Sequence, residues 1–164
     1  MKDLLDLSSH ELLRLYGNLL KEMARRGIVR SANNPVAGIA EYLVVNALGL
    51  KRVPQSTKGY NAMDGNGQKY EIKSRRLTQH NPSRMLGAIR DGEHAHFNFL
   101  AGVLFNEDFS LYKACLIPHE IALKESNFQE HTNAHILELD DSLWHRSGVT
   151  DITANLQAVF ERLK

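Results

Sequence analysis

The order of hydrophobic patterns in this 164-residue chain predicts an α/β domain, a mixed central β-sheet flanked by helices. Three observations carry that expectation. Two stretches with helical apolar spacing open the chain before residue 50. A turn signal, Gly65-Asn66-Gly67, then sits between two strand-like segments. Two long apolar runs, 97–105 and 111–117, follow as candidates for buried strands. The length and an ordinary balance of apolar and charged residues suit one domain with its own core, so disorder is not expected.

Ser8-Ser9-His10-Glu11 offers a capping box, with Ser8 as N-cap and Glu11 three positions on. Leu12, Leu13, Tyr16, Leu19, Leu20 and Met23 recur at helical spacing, and Gly27 is the expected stop. Residues 31–35 read as a polar turn. A second helix carries Ile39, Leu43, Val44 and Leu48 on one stripe and ends at Gly49. From Lys51 the period changes. Residues 53–57 read as a short strand, and 60–64 and 68–76 as the arms of a hairpin. Residues 81–90 read as a short helix or turn. The apolar runs are joined by a tight turn at 106–110. Pro118 opens a short helix through Lys124. Residues 135–139 read as a last strand and 152–163 as a closing amphipathic helix.

The single cysteine, Cys115, excludes an internal disulfide framework and suits a reducing compartment. Met1-Lys2-Asp3 runs straight into an amphipathic pattern, so no secretory leader is expected, and no apolar run is long enough to span a bilayer. A cytoplasmic location and no membrane partner follow as expectations. Formal net charge is only +1. Yet basic residues cluster at Arg25-Arg26, Lys51-Arg52 and Arg75-Arg76, with Lys58, Lys69, Arg84 and Arg90, while acids crowd the C-terminal third. One positive face is therefore compatible with a near-neutral sum.

The segment from Lys58 to Arg76 carries the chemistry. On a strand alternate residues share a face, so Glu71, Lys73 and Arg75 point one way and Tyr70 and Ile72 the other. Asn61 and Asp64 lie on the neighbouring arm. A three-residue Gly65-Asn66-Gly67 loop with Gly67 left-handed pairs Asp64 with Gln68 and Asn61 with Glu71, setting Asn61 toward the site. A two- or four-residue loop brings Asp64 to the Glu71 face instead.

Glu71-Ile72-Lys73 after this hairpin, with Glu41 on the preceding helix in Gly38-Ile39-Ala40-Glu41, resembles the PD-(D/E)XK nuclease superfamily over roughly residues 33–117. The resemblance implies a restriction-endonuclease-like fold: an added N-terminal helix over 1–30, the core over 33–117 and a C-terminal extension over 118–164. It also implies Mg²⁺- or Mn²⁺-dependent hydrolysis of DNA, in restriction, repair or defence. Glu71, Lys73, Asn61 and Glu41 would be catalytic, with Glu71, Asn61, Asp64 and Glu41 as candidate metal ligands. Ser74, Arg75, Arg76, Lys58 and Arg84 would meet the phosphate backbone. A homodimer suits a site that cuts one strand. The chain departs from the family at Asn61, where an aspartate is usual. An amide oxygen can ligate the metal but brings no charge, which leaves open a non-catalytic module that keeps the fold to bind DNA or protein.

The histidines at 94, 96, 131 and 135, with His119 and His145, suggest zinc by spacing, but no cysteine cluster or His-Glu-x-x-His accompanies them. Neither a Gly-x-Ser-x-Gly elbow nor a Gly-x-x-x-x-Gly-Lys phosphate loop is present.

Overall fold

The computed structural model describes residues 3–31, 33–90, 94 and 96–163. Met1-Lys2 of the leader reading, Ala32 of the polar turn and Ala95 between two of the histidines lie outside them.

Helix α1 (Ser9–Arg25) begins as its sequence dictates: the Ser8 hydroxyl accepts from the Glu11 N–H and the Glu11 carboxylate accepts from the Ser8 N–H at 2.8 Å. Helix α2 (Val36–Leu48) buries Ile39, Leu43 and Val44 on one side of the sheet and stops at Gly49. Strands β1 (Lys51–Arg52), β2 (Ala62–Met63) and β3 (Lys69–Arg76) follow, and then β4 (Ile89–Arg90), β5 (Phe99–Phe105) and β6 (Leu111–Pro118). Helix α3 (His119–Lys124), β7 (Asn127–Gln129), β8 (Ala134–Ile136), β9 (Thr150–Asp151) and α4 (Thr153–Phe160) complete the order.

The main sheet runs β1-β2-β3-β5-β6-β9 and is mixed, because β3 and β5 are parallel while its other pairs are antiparallel. A small sheet, β4-β8-β7, is separate. Two cores result, one on each face of the main sheet. Alternation in β3 and β5 sends Tyr70, Ile72, Ala101, Val103 and Phe105 toward α2 and α4. Leu100 and Leu104 point the other way, into a cluster with Phe97, Ile117, Leu137 and Leu139. Among the described residues no helix is long and apolar enough to cross a membrane.

Three expected elements differ. Residues 53–57 form a turn rather than a strand, closed by a 2.9 Å bond from the Thr57 N–H to the Pro54 carbonyl. Pro54 has no N–H to give a ladder, and pairing ends before it. Residues 81–90 hold no helix. Instead Met85 bridges Glu138 and the Leu86 N–H bonds the Leu137 carbonyl at 2.9 Å, so tertiary pairing takes these backbone groups. The expected last strand is β8, which starts one residue earlier than expected and ends three earlier, and β9 comes after it.

Candidate functional site

The hairpin adopts the three-residue register. Ala62 pairs with Tyr70 and Met63 with Lys69, the Asp64 N–H bonds the Gln68 carbonyl at 3.0 Å, and Gly67 has φ +81°. A left-handed residue there is why glycine follows Asn66. Asp64 is consumed by the turn. Its Oδ1 accepts from the N–H groups of Asn66 and Gln68, each at 2.9 Å, and its Oδ2 from the Tyr70 hydroxyl at 3.2 Å.

One residue before β2, Asn61 donates its N–H to the carbonyl of Tyr70, the residue already paired with Ala62, at 2.8 Å, so the ladder falls out of the register that would set Asn61 against Glu71. Its side chain, however, does not turn to the Glu71 face. The amide Oδ1 accepts from the Ile72 N–H at 2.7 Å, in place of the next rung of the ladder. Among the described residues no strand continues along that side of β3, although β5 pairs with β3 from Tyr70 to Arg76 on the other. Alternation then places the Ile72 carbonyl and the Ser74 backbone along this open edge.

The expected site residues divide between the two faces of β3. Toward α2, Glu41, Asn61 and Ile72 line a cavity of about 340 Å³ with Arg30, Asn34 and Thr57. Glu41 is the one charged residue buried among the described residues. Arg30 bonds its Oε1 through Nε at 2.6 Å and pairs with it again through Nη2, and the Arg52 Nε lies 3.0 Å from the same oxygen. The Arg52 contact is a charge contact without hydrogen-bond alignment, and the Arg52 Nη2 is buried without an acceptor. None of these contacts falls on Oε2. Arg30 is further fixed by donating to the Val53 carbonyl at 2.7 Å. Gly38, one turn before Glu41, permits this approach: a Cβ there would lie 2.9 Å from the Val29 Cγ1.

On the opposite face Lys73 Nζ lies 3.0 Å from Glu71 Oε1, each side chain 17 % exposed. Glu71 opens onto a second cavity, of about 490 Å³, with Lys58, Arg90, His96, Phe97 and His119. The His119 Nδ1 is buried without a hydrogen-bond partner.

Ser74, Arg75 and Arg76 line a groove with Asn34, Ala37 and Asn81 at the end of β3. Asn34 and Ala37 also border the Glu41 cavity, so the two spaces adjoin. Arg75 bonds Asn81 at 3.3 Å, and Arg76 donates to the Glu107 carbonyl at 2.8 Å with its guanidinium 4.2 Å over the Phe109 ring. Arg84 stands apart from this group: it bonds Asp141 at 3.1 Å and the Tyr112 hydroxyl at 3.0 Å.

Among the described residues no three His, Cys, Asp or Glu side chains converge as a metal cluster. His135 is engaged with the Ser126 hydroxyl at 2.9 Å. Sequence reasoning passed over Arg30, which carries no motif and lies 11 residues from the glutamate it neutralises. No protein-family model matches the chain, and no curated protein matches it.

Proposed function

We propose that this chain is a PD-(D/E)XK-type domain acting on DNA phosphodiester bonds with Mg²⁺ or Mn²⁺ in the cytoplasm, its metal site one carboxylate short. The carrying observation is the pairing of Glu71 with Lys73 on a strand whose open edge holds the Asn61 amide against the Ile72 N–H. The available donors are all oxygens, as a hard divalent cation prefers, and they lie on two faces: the Glu71 carboxylate opens onto one cavity, the Asn61 amide and the Oε2 of Glu41 border the other, and the Ile72 carbonyl lies on the strand edge. By type they fit such an ion, by placement Glu71 stands across the strand from Glu41 and Asn61, and in charge they are poor because Arg30 and Arg52 offset Glu41 and Asn61 is neutral.

When bound, the ion supplies a water acidified enough to attack at neutral pH. The chain's own groups do the rest. The Lys73 ammonium orients the attacking water and offsets charge growing on the phosphate. The groove at Ser74, Arg75 and Arg76 holds the backbone phosphates and leads toward the Glu41 cavity, which sets register without reading sequence. Lys58 borders the Glu71 cavity and adds a cation there. A second reading, a binding module without catalysis, is favoured by the Asn61 oxygen being already bonded to Ile72.

The test is calorimetric Mn²⁺ binding and plasmid nicking for the chain and for Asn61→Asp. A charge beside a divalent ion at a few ångströms contributes several kcal/mol at an effective dielectric near 20, so tighter binding and at least a roughly hundredfold gain in nicking are expected. Lys73→Ala in that background should abolish the gain. Unchanged binding and nicking in Asn61→Asp would sink the catalytic reading and leave the binding module.

A further inference from the structure

Among the described residues, seven of the ten large apolar side chains open to solvent fall between Leu4 and Leu19. They form one stripe on α1 and the short 3-10 turn before it, with Leu5 92 % and Leu13 72 % exposed. Only the last turns of α1 reach the core, through Met23 and Ala24, and Leu20 alone in the helix is buried. The first three turns therefore overhang the domain with Leu12, Leu13, Leu15, Tyr16 and Leu19 uncovered. A helix in a folded protein gains most of its stability from packing its apolar face, and this one leaves most of that face unpacked. The stripe presents on the order of 700 Å² of side chain, beyond the few hundred Å² common on monomers and close to the roughly 800 Å² that each partner gives a stable interface.

Charge identifies what covers it. Residues 3–13 carry Asp3, Asp6 and Glu11 and no Lys or Arg, whereas residues 21–26 carry Lys21, Arg25 and Arg26 against one acid, Glu22. Glu22 is already held by Arg25 at 2.6 Å and Arg26 at 2.8 Å. The helix thus has an acidic start and a basic end, complementary to itself when reversed. An antiparallel copy centred on Tyr16 sets Leu12 and Leu13 of one helix level with Leu20 and Leu19 of the other. It lays each acidic end on a basic one and opposes the two helix dipoles. We infer that the α1 stripe is the interface of a two-fold homodimer, formed by antiparallel packing of α1 on α1 from a second copy of this chain. The self-complementary patch is what a two-fold contact requires.

The experiment is sedimentation equilibrium of the full chain, with Tyr16→Glu/Leu19→Glu as the comparison. Both side chains are more than half exposed, so the variant should fold, which circular dichroism checks. The chain should be a dimer at micromolar concentration, and the double variant should weaken association roughly a hundredfold or more. Orientation is read by oxidative cross-linking. Tyr16→Cys sits at the two-fold axis and should link into dimers. Leu5→Cys, 11 residues from that axis, should not. Cys115 is buried and stays silent. A chain that stays monomeric at about 100 µM overturns the inference and assigns the stripe to a different protein. So does a dimer that the double variant leaves intact, or equal cross-linking at both cysteines. DNA cleavage enters none of these readouts, so failure of the nuclease reading leaves the dimer test standing.

Discussion

The two faces of β3 hold the same kind of residue in opposite circumstances. Toward α2, Glu41 is fixed by two arginines from separate segments, and its side chain is 12 % exposed. On the other face, Glu71 has Lys73, two residues along its own strand, as its ion-pair partner, and it opens onto a cavity. A carboxylate tied to Arg30 and Arg52 joins the loop after α1, helix α2 and strand β1, so its first duty is to the fold. One paired only along its strand joins nothing distant and is available to a ligand.

The largest expected effect breaks the Glu41 face. Glu41→Ala leaves the Arg30 and Arg52 guanidiniums partly buried beside an empty position. Losing one partner of a buried pair typically costs about 3–5 kcal/mol, and partial exposure of the arginines lowers this to about 2–3 kcal/mol. Urea unfolding measures it. A cost under about 0.5 kcal/mol would erase the contrast between the faces.

Next is Gly38→Ala. Alanine favours a helix by about 1 kcal/mol, yet its Cβ would press on Val29, where overpacking costs about 1–3 kcal/mol. Net destabilisation of about 1 kcal/mol is expected, with non-additivity toward Glu41→Ala, because Val29 carries the chain into Arg30. Full additivity would show that Gly38 does not set the arginine's position. Glu71→Gln follows, costing about 1 kcal/mol of stability because the amide keeps the side chain's volume and leaves Lys73 an acceptor oxygen. Its effect belongs instead to metal binding and nicking, measured in the Asn61→Asp background.

The same contrast explains what was legible in advance. Gly65-Asn66-Gly67 fixed a local register, and local register decides which residues of 68–76 share a face. The Ser8–Glu11 box and the stop at Gly49 were equally local. The direction of the Asn61 side chain was not legible, because it depends on where β2 stops pairing and not on its parity. Glu41's neutralisation depends on Arg30 and Arg52, which chain folding alone brings together. For α1, periodicity marked an apolar stripe but could not tell whether the domain's own core covered it. The contact of Arg84 with Asp141, 57 residues away, was beyond the reach of local pattern.

The smallest effect separates the turn from the site by pH. Burial disfavours ionised Asp64 and is the largest single influence. The bonds from the Gln68 and Asn66 N–H groups, the Tyr70 hydroxyl and the Gly67 N–H together outweigh it, holding the carboxyl below its ordinary 3.8. A folded value below the unfolded one means the carboxylate stabilises the fold fully above the unfolded value. That stabilisation is lost as pH falls through the folded one. The stability difference between the wild-type chain and Asp64→Asn should therefore stay constant from neutral pH to about pH 5 and narrow below about pH 4, because every other titrating group is shared. Urea unfolding at several pH values measures it. Were Asp64 a metal ligand facing Glu71, as the alternative hairpin register would have it, the pattern would reverse. Asp64→Asn would lose Mn²⁺ binding at neutral pH, and the stability difference would shift in the opposite sense on acidification, because like charge from Glu71 would push the Asp64 carboxyl up. That result would return Asp64 to the site and give it the second carboxylate that Asn61 withholds.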